Sequence, residues 1–156
     1  MDYVVSGLPI GPFQSLFGLD EDALRAHGAA RVFADAHPGY PCRVTLRDAE
    51  AGESLLLLPW AHLDAETPYR SGGPIFVREA ASVQAVFRNE VPEQQRNRLL
   101  SVRAYDARGW MLDAEVDQGT RLEPLIERFF AEPRTAFLHV HNARRGCYAC
   151  RVDRAG

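Results

Sequence analysis

Apolar and polar positions alternate along this chain in short runs, bounded by clusters of Gly, Pro and Asp. Such runs predict strands over residues 31–34, 42–46, 55–59, 75–78, 100–105, 111–116, 135–141 and 147–152. Helical spacing is rarer. Asp20 has the character of an N-cap for a helix over 21–27, with Gly28 as its stop. Pro92 suits the first turn of a short helix reaching Arg98. Leu122, Leu125, Ile126 and Phe129 recur at helical spacing within 121–131, and Pro133 closes that segment. Strands following one another without intervening helices predict an α+β fold with a mainly antiparallel sheet, two or three short helices and a single domain.

Two hairpins can be given a register. Asp106-Ala107-Arg108-Gly109-Trp110 reads as a loop with a left-handed glycine. A regular ladder from it sets Arg103 opposite Asp113, and Leu100, Val102 and Ala104 on one face with Leu112, Ala114 and Val116. Asp113, Glu115 and Asp117 then form the wet face of a half-buried sheet, which outweighs a metal or acid/base role for them. The second loop, Asn142 to Gly146, sets His141 opposite Cys147, His139 opposite Ala149 and Phe137 opposite Arg151. Leu138 and Val140 with Tyr148, Cys150 and Val152 make the apolar face.

That second register assembles the candidate chemistry. An imidazole directly opposite a thiol is the arrangement of a Cys–His nucleophile, with Cys147 attacking, His141 as base and His139 orienting the pair. The same His139, His141 and Cys147 also suit zinc, with a fourth position left for water. The bland alternative is two histidines on a solvated face beside an inert small thiol. Phe137 and Ala149 on the same side argue for partial cover, as in a cleft wall. Cys147 and Cys150 form a CxxC, but on a strand that offset sends the sulfurs to opposite faces, and no second CxxC completes a four-cysteine zinc site. Cys42 is expected to be buried.

Anion chemistry has two candidate places. In Pro68-Tyr69-Arg70-Ser71-Gly72-Gly73-Pro74 the glycines free backbone amides, Arg70 can fork onto a carboxylate or phosphate, and Ser71 supplies a hydroxyl. Ordinary turn chemistry explains the same segment at least as well. Asn142 and Arg144 at the second hairpin offer another anion contact, against solvated arginines at a loop tip.

Composition narrows the field. The chain has 156 residues, and its 18 basic side chains are all arginine, so no lysine Schiff base, pyridoxal phosphate linkage, phosphate-loop lysine or Ser–Lys dyad is available. A net charge of -3 argues against a duplex nucleic-acid surface, although residues 134–156 carry five arginines against Asp153 alone. The longest apolar run, residues 55–61, is far below the ~20 residues a spanning helix needs, and no leader pattern opens the chain. Three cysteines fit reduced thiols. These features lead us to expect a cytoplasmic protein without membrane or nucleic-acid partners. The G-x-S-x-G, H-E-x-x-H and G-x-G-x-x-G patterns are absent.

The segments YPCRVTLRDAEAGESLLLL, PYRSGGPIFVRE, LEPLIERFF and LHVHNARRGCYACRV, in that order, resemble the bacterial family catalogued as domain of unknown function 1203. The resemblance implies a single-domain bacterial protein and carries no activity, cofactor or catalytic residue with it. Two functional readings follow. One is a small-ligand-binding protein or enzyme using Cys147, His141 and His139, with Arg70, Ser71, Asn142 or Arg144 holding an anionic group. The other is a noncatalytic module whose sheet face docks a protein partner.

Overall fold

The computed structural model describes residues 1–156. Nine strands and four short helices build it: β1 (Tyr3–Ser6), α1 (Gly11–Gln14), α2 (Glu21–Ala26), β2 (Ala30–Phe33), β3 (Ser54–Leu63), β4 (Ser71–Arg78), β5 (Val86–Arg88), α3 (Glu93–Arg96), β6 (Leu99–Tyr105), β7 (Met111–Gln118), α4 (Leu122–Phe130), β8 (Phe137–Asn142) and β9 (Tyr148–Arg154). All strand pairings are antiparallel, in a six-stranded sheet ordered β5-β1-β9-β8-β6-β7 and a three-stranded sheet ordered β2-β3-β4. The fold is therefore α+β, as the strand spacing predicts. No helix is long and apolar enough to cross a membrane.

The local signals account for most elements. The Asp20 carboxylate accepts a hydrogen bond from the Ala23 amide at 2.8 Å and caps α2, which ends at Gly28 with φ +69. Gly109 and Gly146 both take left-handed conformations at the two hairpin loops. The buried residues Leu122, Leu125, Ile126, Phe129 and Phe130 line one side of α4. They pack with Val5, Leu100, Val102, Ala104, Leu138, Val140, Cys150 and Val152 from one face of the large sheet. Burying five such side chains is worth on the order of 10 kcal/mol before entropy is counted, so α4 is held by this face rather than by its short length. A second cluster joins Phe13, Leu16 and Leu24 to Leu56, Leu58, Ile75 and Val77 of the small sheet, and it includes Tyr148 of β9.

Four sequence expectations are corrected. Residues 42–46 form a turn with only isolated bridges, Pro41 to Asp48 and Cys42 to Phe76, because Leu46 adopts φ +53 and its amide returns to the Cys42 carbonyl. Strands β1 and β5 and helix α1, each four residues or fewer, escape the periodicity. In the β6–β7 hairpin a bulge at Ala104/Tyr105 moves the ladder by one residue, so Arg103 pairs with Ala114 and Ala104 with Asp113. That slip turns Asp113 and Glu115 toward α4, where both lie within ion-pair range of Arg128, and it leaves Val116 53% exposed. In the β8–β9 hairpin the turn bonds the Asn142 amide to the Cys147 carbonyl and so sets His141 opposite Tyr148, and a bulge between Val140 and His141 then pairs His139 with Arg151 and Phe137 with Asp153. Cys147 is thus not the cross-strand neighbour of His141, and Tyr148 leaves the apolar face for the histidine face.

Candidate functional site

The register of β6, β8 and β9 lays out the other face of the large sheet as three rows. Tyr105, Phe137 and Asp153 form one, Arg103, His139 and Arg151 the next, and Ser101, His141 and Tyr148 the third. This face is not solvated. His139 is 2% exposed and His141 1% exposed, which excludes the open-sheet reading of the His-x-His strand. The cover comes from β3. A bulge between Trp60 and Leu63 breaks its regular pairing with β4, and Gly72 lies so close that a Cβ there would sit 2.7 Å from the Trp60 carbonyl oxygen. Beyond the bulge, Leu63 packs on Tyr105 and Phe137, and His62 stacks on Tyr148 with ring centroids 5.3 Å apart and planes 10° from parallel.

Three imidazoles meet here. The His62 ring lies 4.9 Å from His141 and 5.9 Å from His139, centroid to centroid, while His139 and His141 are 6.5 Å apart. His141 Nδ1 donates to the Gly146 carbonyl at 2.9 Å, which leaves Nε2 as an acceptor facing the Arg103 guanidinium at 3.5 Å. His62 Nε2 lies 2.9 Å from Ser71 Oγ. His139 has no such partner, and its buried Nδ1 makes no hydrogen bond. All three rings are held neutral. Burial, reinforced by His62, His141 and the Arg151 and Arg103 charges, drives His139 down to about 3. Burial, opposed by the Gly146 hydrogen bond and aided by Arg103, drives His141 down to about 4. Burial and then Arg103 lower His62.

The arginines around this face are distinctive in what they lack. Ten of the chain's arginines pair with a carboxylate, including Arg151 with Asp153 and Arg70 with Asp64. Of the remainder only Arg43 and Arg103 are not exposed, and both border the histidine face. Arg103 reaches Ser101 and His141, lies beside the Tyr105 hydroxyl, and meets no carboxylate. Arg43, 1% exposed, donates to the carbonyls of Tyr148 and Pro41 and to Cys147 Sγ at 3.1 Å. Burial lowers the Arg43 pKa, against the effect of Cys147.

The sequence-predicted residues separate accordingly. His139, His141 and Ser71 come together. Cys147 is half-buried beside Arg43, with no hydrogen bond to either histidine. Arg70 is solvent-exposed and occupied by Asp64 at 2.7 Å, Arg144 is exposed at the hairpin tip, and Asn142 alternates onto the α4 side of the sheet with Val140 and Leu138. No group of three His, Cys, Asp or Glu side chains is arranged to hold a metal ion, so His139, His141 and Cys147 do not form the zinc set their register suggested. Cys150 is fully buried and its thiol is pushed up to about 12, far from dithiol chemistry. His62, Arg103 and Arg43 were missed. His62 sits at the polar end of the apolar strand β3, and no local pattern in the sequence sets it apart from an ordinary strand-end residue.

A cavity of about 770 Å³ lies elsewhere, between residues 37–50 and 87–98. Its inner charge is already satisfied: Asp48 accepts from Arg98 at 2.6 Å, from Gln94 and from the Gly39 amide. Of the five buried side-chain polar atoms without a partner, at Tyr3, Gln95, Thr135, His139 and Asn142, His139 Nδ1 is the one within the histidine cluster.

A family profile described as protein of unknown function (DUF1203) matches residues 39–154. The chain belongs to the DUF1203 family. The match takes in Arg43, His62, Ser71, Arg103, His139, His141 and Cys147, that is, every residue of this DUF1203 site. Neither a curated protein nor a solved structure matches the chain.

Proposed function

We propose that this protein binds a small anionic ligand, a carboxylate or a phosphate ester, at the edge where β3–β4 covers the histidine face, around His62, Ser71 and Arg103. Arg103 carries the reading. It is half-buried, it has no carboxylate partner, and a guanidinium in that position is complete only when an anion completes it. Arg43 behind Tyr148 adds a second uncompensated positive charge. A neutral imidazole suits the role: His139, whose Nδ1 has no partner, can donate one hydrogen bond to an anion without the cost of a further buried charge, whereas His141 already gives its only N–H to Gly146. The unpartnered His139 Nδ1 is the group whose hydrogen-bonding need a ligand would meet. Ser71, exposed, and His62 and Arg103, half-buried, give the ligand an entrance, beneath which His139 and His141 lie buried.

Calorimetric titration of the whole chain with inorganic phosphate and with citrate tests this. Saturable binding of either, weakened at least tenfold in Arg103→Gln, about 1.4 kcal/mol, supports it. Heats of dilution alone, or equal binding by the Gln variant, refute it.

A further inference from the structure

We propose that Ser71 is a nucleophile served by His62, and that this pair hydrolyses esters whose anionic group lies on Arg103; this last clause rests on the anion-binding reading above. Ser71 Oγ and His62 Nε2 are 2.9 Å apart, the separation of a working nucleophile and base. Ser71 is exposed at the start of β4, so an ester carbonyl can approach its oxygen from solvent. His62 is fixed. The Tyr148 ring stacks on one side, the His141 ring meets it edge-on, and the β3 bulge packed on Gly72 sets the backbone that delivers it. Because burial and Arg103 keep the imidazole neutral near pH 7, its Nε2 lone pair is free to take the hydroxyl proton.

The chemistry balances without a further reactant except water. The Ser71 O–H bond breaks and its proton passes to His62 Nε2 as Oγ bonds the ester carbonyl carbon. The bond to the alcohol oxygen then breaks, and His62 returns the proton to that oxygen. Water repeats the sequence: it gives a proton to His62, its oxygen bonds the acyl carbon, and Ser71 Oγ leaves and recovers the proton. Ester and water become carboxylic acid and alcohol, with both side chains restored. Arg103 sits beside His141, which touches His62, so an anionic substituent held there leaves the ester beside Ser71.

The full-length protein is treated with a fluorophosphonate and mapped by mass spectrometry, then assayed on 4-nitrophenyl acetate and on the anionic mono-4-nitrophenyl succinate. The expected results are a single adduct on Ser71, turnover that falls to the buffer rate in Ser71→Ala, and a loss of at least about 100-fold in His62→Gln. The kcat/KM profile should level off with a midpoint below pH 6.5, and the anionic ester should be preferred by at least about tenfold. Ser71→Ala changes an exposed side chain, so its loss of rate is not a loss of fold. The absence of an adduct together with background rates on both esters overturns the proposal even if phosphate binds, as does turnover that survives in Ser71→Ala. Equal rates on the two esters, with the adduct present, sustain the nucleophile and refute the anion-binding reading instead.

Discussion

Acidification from pH 7 to about pH 5 should destabilise this protein through its two buried histidines. His139 and His141 are almost fully enclosed, with folded values of about 3 and about 4, whereas unfolded histidine titrates near ~6.5. A base whose folded pKa is depressed contributes its full stability above the unfolded pKa. That contribution falls as pH drops below it, because the unfolded chain takes up protons that the native state refuses. Each such histidine removes about 1.4 kcal/mol per pH unit below 6.5, so the pair removes about 4 kcal/mol by pH 5, a large part of an ordinary domain's 5–15. His62, lowered for the same reason, acts in the same direction. The carboxylates do not obscure this window. Arg31 holds Glu79 down to about 2, and hydrogen bonds from Arg98 and Arg78 outweigh burial to keep Asp48 and Glu53 below the usual range, so their contributions fade only at lower pH. Urea unfolding followed by circular dichroism across this range gives the slope, and His139→Phe should roughly halve it. A stability that is flat or increasing between pH 7 and pH 5 would show that the histidines are not buried neutral, and the site would have to be redrawn.

Two substitutions test the packing that supports the site. Arg43→Ala strips the carbonyls of Tyr148 and Pro41 of their charged donor and leaves a hole, so urea unfolding should show a loss of about 3 kcal/mol. A change under about 1 kcal/mol would mean that Arg43 is not enclosed. Arg128→Ala removes the exposed contacts to Asp113 and Glu115, and we expect a loss no greater than about 0.5 kcal/mol that vanishes in high salt.

The sequence made the two hairpins, the Asp20 cap and the α4 stripe legible because each depends on contacts a few residues apart. It also paired the right faces of β8 and β9 below the bulge, where Leu138 and Val140 do face Cys150 and Val152. The bulges are what it could not show. Each inserts one residue whose cost is settled by packing from another element, and each moved the partners beyond it: with the turn, which already set Tyr148 opposite His141, the β8–β9 bulge brought Arg151 opposite His139, and the β6–β7 bulge brought Asp113 in place of Leu112 opposite Ala104. His62 and Ser71 meet across β3 and β4, and Arg43 meets Cys147 across 104 residues of chain, so their partnerships belong to tertiary structure. Arginine content carried a related lesson. The feature that matters is not how many arginines the chain has but which two of the enclosed ones lack a carboxylate.

The ring nitrogens of the histidines report the central claim most directly. In long-range nitrogen–proton NMR spectra of the labelled chain at neutral pH, the five histidines give separate signals, and inorganic phosphate is titrated in. The account predicts saturable shifts of His62, His139 and His141, with His27 and His37 unmoved and with the shifts abolished by Arg103→Gln. Shifts confined to His27 and His37, or none at all at any of the five, would contradict it.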